Sequence, residues 1–165
     1  MYTNELGFRV TIEDLYDKPG YQIRRLRQIA SAIFAAECAP YGITSQQYTT
    51  LTALQDVASL EQFELCELLS LDRSTMATLL VRLEEKELVR RSISAVDRRR
   101  KHVALTPRGR RLLAALGPPL EHIQEKILAP LAPADRVAFT RMLKELVTSH
   151  TIAANERAEK HEEAS

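Results

Sequence analysis

The stretch AVDRRRKHVALTPRGRR, residues 95–111, has the side chains with the clearest capacity for binding. It contains seven Arg or Lys and one acidic residue in 17 positions. Guanidinium and ammonium groups donate hydrogen bonds to phosphate and carboxylate oxygens, so the stretch is suited to contact with a polyanion. A solvated surface loop can have the same composition, and charge alone does not separate the two interpretations.

The charge distribution over the whole chain sharpens this observation. Residues 88–111 carry nine Arg or Lys and one Asp, which gives +8, whereas the complete chain of 165 residues has a formal net charge of +1. The remaining residues are therefore acidic, at −7. A local basic patch on an acidic body is expected of a protein that meets a polyanion with one surface only.

Two short helices are predicted just before the basic stretch. SLEQ at residues 59–62 has the pattern of a capping box and opens the first, which stops near Ser70. Asp72 is a good N-cap for the second, which runs from Arg73 to about Lys86. Its apolar stripe consists of Met76, Leu79, Leu80 and Leu83. Two helices joined by a few residues indicate a helix-turn-helix.

A β-hairpin is predicted around the basic residues themselves. LVRRSIS and KHVALT alternate partly between apolar and polar residues and are separated by the charged AVDRRR. Thr106 and Pro107 then form an N-cap with proline in the first helical position, which opens a further helix. A helix-turn-helix followed by a two-stranded hairpin with a basic tip is a winged helix-turn-helix.

Amphipathic helices are predicted on both sides of this unit. One begins at Tyr21, after the turn signal DKPG, and Thr44 to Gln47 form a capping box for the next. The helix after Thr106 should break at Gly117, and a last helix should start near Pro133. The apolar stripes of the N- and C-terminal helices have no evident partner in the chain besides each other. We therefore expect them to pack against a second subunit.

The predicted fold is mainly α with a small β-hairpin wing, flanked by N- and C-terminal dimerisation helices. It is divided into an N-terminal arm at residues 1–20, a helical dimerisation region at 21–42 and 106–156, a winged helix-turn-helix DNA-binding region at 44–105, and a charged tail at 157–165.

Contacts with double-stranded DNA are predicted at the start of the second helix and in the hairpin. Short polar and cationic side chains near the N-terminus of a helix in the major groove reach base edges and phosphates. Arginine at a hairpin tip favours the narrow, strongly negative minor groove. The predicted contact residues are Arg73, Ser74, Thr75, Thr78, Arg82, Asp97, Arg98, Arg99, Arg100 and Lys101.

LDRSTMATLLVRLEEKELVRR and VDRRRKHVALTPRGR resemble the winged helix-turn-helix of the MarR family of bacterial transcriptional regulators, and the resemblance extends over about residues 20–150. It implies a homodimer on a near-palindromic operator. It also implies that Asp97 holds Arg99 in the minor groove, with Arg98 and Arg100 on phosphates. Glu87 stands where the family usually has Gly, and a left-handed conformation there costs about 1 kcal/mol.

The resemblance further implies that a small aromatic acid releases the DNA. The PGYQIRRLRQIASAIF segment is similar to regulators of aromatic-acid breakdown, of the hydroxynicotinate or coumarate type. Aromatic faces and one cation suited to such an effector lie around the first two helices, at Tyr21, Gln22, Arg25, Tyr41, Gln47 and Tyr48. The alternative is that the tyrosines are core or turn residues and the arginine is solvated.

Other classes of function have less support. With five glycines and no nucleophile-base, carboxylate-pair or phosphate-loop motif, the sequence does not favour an enzyme. The four histidines are dispersed and no CxxC occurs, so neither metal nor cofactor is expected. Two alternatives stay open, namely a helical protein-interaction module with a basic contact surface and a redox-responsive regulator that uses Cys38 or Cys66.

The sequence also predicts the compartment. Glu5, Arg9, Glu13 and Asp14 interrupt the N-terminal apolar residues, so no signal-peptide pattern is present. No run approaches the roughly 18 apolar residues of a membrane span. We therefore expect a cytoplasmic protein without a membrane partner.

Overall fold

The computed structural model describes residues 11–93 and 100–163, which contain eight α-helices and a three-stranded antiparallel sheet. The helices are α1 (Ile12–Tyr16), α2 (Pro19–Glu37), α3 (Ser45–Ala53), α4 (Gln62–Leu69), α5 (Arg73–Glu85), α6 (Pro107–Ala115), α7 (Gly117–Leu128) and α8 (Pro133–Glu163). A short 3₁₀ helix occupies Ala39–Tyr41, and the strands are β1 (Leu60–Glu61), β2 (Val89–Ile93) and β3 (Lys101–Leu105). The predicted mainly helical fold with a small β wing is confirmed.

Two compact units make up the chain. One comprises the described residues up to Gln124, and the other begins at Glu125. The first contains the sheet and helices α1 to α6, and the second contains α8.

The N-terminal helices begin earlier than predicted. Thr11 caps α1, because its hydroxyl accepts the Asp14 amide at 3.2 Å and its amide donates to the Asp14 carboxylate at 2.8 Å. The prediction that helical structure begins at Tyr21 is wrong, since α2 begins at Pro19. Proline lacks an amide hydrogen and has its φ fixed near the helical value, so in the first turn it opens a helix.

Side chains at the helix starts account for the boundaries of α3, α4 and α5. The capping box of Thr44 and Gln47 is confirmed at α3. The predicted box at Ser59 is wrong, because Leu60 is drawn into strand β1 and α4 starts at Gln62. The Glu61 amide instead donates to the Glu64 carboxylate at 2.7 Å. A left-handed Ser70 at φ 50° then ends α4.

The predicted two-stranded hairpin is in fact part of a three-stranded sheet of order β1-β3-β2. Val103 in the central strand pairs with Leu60 of β1 on one side and with Arg91 of β2 on the other. The short strand β1 therefore joins the base of the wing to the segment that leads into α4.

One core holds the winged unit together. The predicted stripe of α5 is confirmed, since Met76, Leu80 and Leu83 have no exposed surface and Leu79 is 6% exposed. The fully buried side chains that surround it come from α3, α4, the sheet and the end of α6, and they include Leu51, Leu54, Leu65, Val103 and Leu116. Burial of this apolar surface fixes the position of α5.

The exit of α5 is tightly packed against the start of α6. Glu87 adopts a left-handed φ of 58° although it is not glycine. The Thr106 hydroxyl donates to the Glu87 carbonyl at 2.6 Å and accepts the Gly109 amide at 3.0 Å. A Cβ atom at Gly109 would lie 2.2 Å from the Leu88 carbonyl oxygen, so only glycine fits there.

The C-terminal helices follow the predicted pattern. α6 ends at Ala115, α7 starts at Gly117, and α8 starts at the predicted Pro133. Helix α8 continues to Glu163, through most of the stretch predicted to be a charged tail. No helix in the described part of the chain is long and apolar enough to cross a membrane.

Candidate nucleic-acid interface

Helix α5 has two contrasting faces. Its apolar face is buried in the core, and Arg73, Ser74, Thr78 and Arg82 are exposed on the other side, with Thr75 half-buried between the two faces. We call the five polar residues the reading face. The structure therefore brings together the five residues predicted from α5, on a helix that the core holds in place.

The start of the reading face is fixed by Asp72. Its carboxylate accepts the Thr75 hydroxyl at 2.6 Å and the Thr75 amide at 2.8 Å. These two hydrogen bonds, the hydroxyl bond foremost, hold the pKa of Asp72 below its usual value. Since the Thr75 hydroxyl donates its hydrogen to the cap, Ser74 and Thr78 are better placed to donate to a base or phosphate.

Arg73 lies beside an exposed aromatic ring. Its guanidinium carbon is 6.0 Å from the centre of the Phe63 ring, and Phe63 is 52% exposed on α4. A cation-π contact of this kind limits the directions that a long side chain samples. Phe63 was not among the residues predicted from the sequence, because its contact with Arg73 appears only once α4 and α5 are packed.

The base of the wing carries two of the five predicted hairpin residues. Arg100 and Lys101 line one cavity with Arg73 and Phe63, and Arg100 donates to the Glu61 carboxylate at 2.9 Å. Asp97, Arg98 and Arg99 lie outside the described residues, so their predicted roles stay predictions.

A second ion pair joins the wing to the end of α5. Arg91 on β2 donates from Nε to the Glu84 carboxylate at 2.8 Å, and its amide donates to the same group at 3.2 Å. The Arg91 side-chain hydrogen bond holds the pKa of Glu84 below its usual value. The carboxylate is thus ionised at neutral pH and ties β2 to the helix that carries the reading face.

The residues predicted to bind an effector lie at several places. Tyr21 packs against Tyr16 with ring centres 5.3 Å apart, and Gln22 donates to the Tyr16 carbonyl. Arg25 is exposed and donates to Gln28 on its own helix at 3.0 Å. In the described structure these three side chains are therefore already engaged, by a ring contact or by a hydrogen bond, with residues of α1 or α2.

Of the other three predicted effector residues, Gln47 is buried and the two tyrosines are half-buried. Tyr48 packs against Phe34 with ring centres 5.9 Å apart. Gln47 is 4% exposed and is bonded to Thr44, so the α3 cap takes up its side chain. Tyr41 lines a cavity of about 470 Å³ together with three cationic side chains, which are Lys86, Arg108 and Arg111.

The cysteines have the environment of core residues. Cys38 has no exposed surface and Cys66 is 8% exposed. Burial raises the pKa of both thiols, which disfavours the reactive thiolate. Among the described residues no group of three or more potential metal ligands comes together.

Comparison with known proteins identifies this architecture. A model of the MarR family matches residues 41–100. The HTH-type transcriptional repressor NicR of Pseudomonas putida is 33% identical over 82% of this chain and 86% of its own length. The chain belongs to the MarR family. It is therefore a DNA-binding transcriptional regulator of a family whose members are not enzymes.

Two solved structures of MarR regulators are also similar. BpsR of Bordetella bronchiseptica, described as regulated in its DNA binding by 6-hydroxynicotinic acid, is 30% identical with a TM-score of 0.72 over 78% of this chain and 97% of that one. PcaV of Streptomyces coelicolor, in complex with its natural ligand, is 29% identical with a TM-score of 0.73 over 86% and 99%. The MarR fold thus extends well beyond the residues that the family model matches.

Proposed function

We propose that this MarR-family regulator is a repressor that binds a near-palindromic operator as a homodimer and leaves it when a small aromatic acid binds. The reading face of α5 carries the DNA part of the proposal. Its exposed serine, threonine and arginine side chains project from a helix whose other face is fully buried. Such a helix can enter a major groove without losing its place in the core.

Exposed apolar side chains support the homodimer. On α8, Leu143 is 36%, Leu146 is 51% and Val147 is 66% exposed, and their spacing places them on one face of the helix. Near the N-terminus, Ile12 and Ile23 are 53% and 56% exposed. Exposed apolar side chains on helices are typical of an interaction site, and a second copy supplies a symmetric partner.

The cavity beside Tyr41 supports the effector. Its volume of about 470 Å³ lies in the range of small-molecule sites. Arg108 is paired with Glu87 at 2.7 Å, whereas Arg111 has no hydrogen-bond or ion-pair partner among the described residues. A tyrosine ring next to an unpaired guanidinium suits an aromatic carboxylate. The reported effect of 6-hydroxynicotinic acid on BpsR supports the same chemical class.

Binding to the DNA upstream of the protein's own coding region tests the proposal. We expect an inverted repeat from that region to bind at least a hundredfold more tightly than scrambled duplex of equal length. Equal binding to both would contradict the operator assignment and favour a protein-interaction module. Addition of 6-hydroxynicotinic acid and other aromatic acids should weaken operator binding, and Arg111→Gln should abolish that response without reducing affinity for DNA.

The wing is tested by two substitutions in the same assay. Arg99→Ala should cost about 1 to 3 kcal/mol of operator affinity and leave the dimer intact. Asp97→Ala should also weaken binding, because it removes the group proposed to orient Arg99, although it deletes a negative charge near DNA. Tighter binding by Asp97→Ala would indicate that the carboxylate is merely repulsive.

A further inference from the structure

A polar groove is formed by α2, the cap and first turn of α3, and α5. Its volume is about 540 Å³. Arg27 from α2 and Arg82 from α5 line it, together with six hydroxyl side chains, which are Ser31, Thr44, Ser45, Ser74, Thr75 and Thr78. No Asp or Glu among the described residues lines this groove. We call it the α2–α5 groove.

The two arginines of the α2–α5 groove differ from two of the arginines at the wing base. Arg91 and Arg100 are each paired with a carboxylate, at 2.5 and 2.9 Å. Arg27 and Arg82 are exposed and have no hydrogen-bond or ion-pair partner among the described residues. Two unpaired guanidinium groups surrounded by hydroxyl donors form a site for an oxyanion.

We propose that the α2–α5 groove seats a phosphate group of the DNA backbone, with Arg27 as a contact that neither the helix-turn-helix nor the wing supplies. The proposal rests on the DNA binding proposed above. Arg82, Ser74 and Thr78 belong both to the groove and to the reading face, so a strand that passes along α5 runs past the groove. Arg27 and Ser31 extend the contact surface from α5 to α2.

Phosphate contacts position DNA and carry no sequence information, which gives the proposal a distinctive signature. Loss of Arg27 should weaken operator and scrambled duplex by the same factor. It should also reduce the salt dependence of binding, because one phosphate contact per subunit is lost. A base contact would instead affect the operator alone.

Arg27→Gln, compared with Arg24→Gln, tests the contact by fluorescence anisotropy on both duplexes over a range of salt concentrations. Arg24 is on the same helix, outside the groove, with its guanidinium 5.0 Å from the centre of the Tyr21 ring. We expect Arg27→Gln to lower both affinities about tenfold and the log-log salt slope by about 1 per subunit. Arg24→Gln should stay within about twofold of wild type. Equal effects of the two variants, or an operator-specific effect of Arg27→Gln, would overturn the assignment.

A second pair of variants introduces negative charge rather than removing positive charge. Ser31→Glu places a carboxylate in the groove, and Ala32→Glu places one at the next, equally exposed position outside it. We expect a larger loss of DNA affinity for Ser31→Glu than for Ala32→Glu at equal helix content by circular dichroism. No difference between them would count against a phosphate in the groove.

A free oxyanion could use the same donors, and sodium phosphate distinguishes the two sources. If the groove is a small-anion site, phosphate should raise the melting temperature of wild type above that measured in chloride of equal ionic strength. Arg27→Gln should lose that effect. The affinity of Arg27→Gln for DNA should then equal that of wild type. That result overturns the DNA assignment. Wild-type protein that binds both duplexes equally contradicts the operator proposal but leaves the Arg27 comparison decisive, whereas no DNA binding at all overturns both.

Discussion

Helices α5 and α8 share an apolar periodicity but differ in what covers it. In α5, Met76, Leu80 and Leu83 have no exposed surface. In α8, Leu143, Leu146 and Val147 are between 36% and 66% exposed. Elements of the same unit bury the stripe of α5, while the apolar residues of α8 lack such cover. An apolar stripe therefore predicts that a face is to be buried, without specifying which chain buries it.

The contrast separates two sources of stability. The winged unit has a core of its own, so its stability should not depend on protein concentration. The stability that α8 contributes should depend on concentration if a second copy covers it in the proposed homodimer. Four substitutions test this division, in order of decreasing effect.

Leu80→Ala should destabilise the winged unit by about 2 to 5 kcal/mol, because a fully buried side chain is replaced by a cavity. Urea unfolding at two protein concentrations should give the same loss at both. Leu143→Ala on α8, where Leu143 is 36% exposed, is the matched control and should have a smaller effect that varies with concentration. A loss below about 1 kcal/mol for Leu80→Ala would contradict the burial difference.

Gly109→Ala should cost about 1 to 3 kcal/mol, since the added methyl group would meet the Leu88 carbonyl at 2.2 Å. Gly117→Ala is the control, because nothing lies within 4 Å of a Cβ atom at that position. Thermal unfolding of the two variants measures the difference. Similar melting temperatures would mean that α6 can shift away from the Leu88 carbonyl at little cost in stability.

Leu146→Glu should weaken the homodimer at least tenfold, or about 1.4 kcal/mol, by placing a charge in the proposed interface. Lys144→Glu introduces a carboxylate two residues away, which is on the opposite side of a helix. Analytical ultracentrifugation over a concentration series measures both variants. A stable Leu146→Glu dimer would contradict the proposal that a second copy covers α8, because the exposed stripe would then need another partner.

Glu87→Gly should stabilise the winged unit by up to about 1 kcal/mol, because glycine adopts the left-handed conformation at φ 58° without a steric penalty. The change also removes an exposed ion pair with Arg108, which offsets little of the gain. Glu87→Gln, which loses the ion pair but keeps the Cβ atom, is the control. A melting temperature for Glu87→Gly below that of Glu87→Gln would contradict the steric explanation.

Features set by neighbouring residues could be predicted from the sequence. The Asp72 cap, the stripe of α5, the Thr106 cap and the helix break at Gly117 each depend on residues within about one helical turn or on strict periodicity. These features were sufficient to predict the helix-turn-helix, the wing strands and the reading face. The two caps and the stripe of α5 also lie within the two stretches on which the resemblance to the MarR family rested.

Features set by distant residues could not be predicted in this way. Strand β1 has only two residues, and it exists because Leu60 pairs with Val103. Arg27 and Arg82 line the same α2–α5 groove, and no local pattern links positions so far apart in the sequence. The predicted effector residues were selected by side-chain type and by their position around the first two helices. The packing of Tyr48 against Phe34 instead favours the alternative, that this tyrosine is a core residue.

The bonds of Thr106 have a mechanical consequence. One hydroxyl joins the carbonyl at the exit of α5 to the amide of Gly109 in the first turn of α6, and the Thr106 amide donates to the Leu88 carbonyl at 3.1 Å. With no room for a side chain at Gly109, the junction has little freedom to hinge. We therefore expect a tilt of α6 to move Leu88, and with it the start of β2, rather than to be absorbed at the junction.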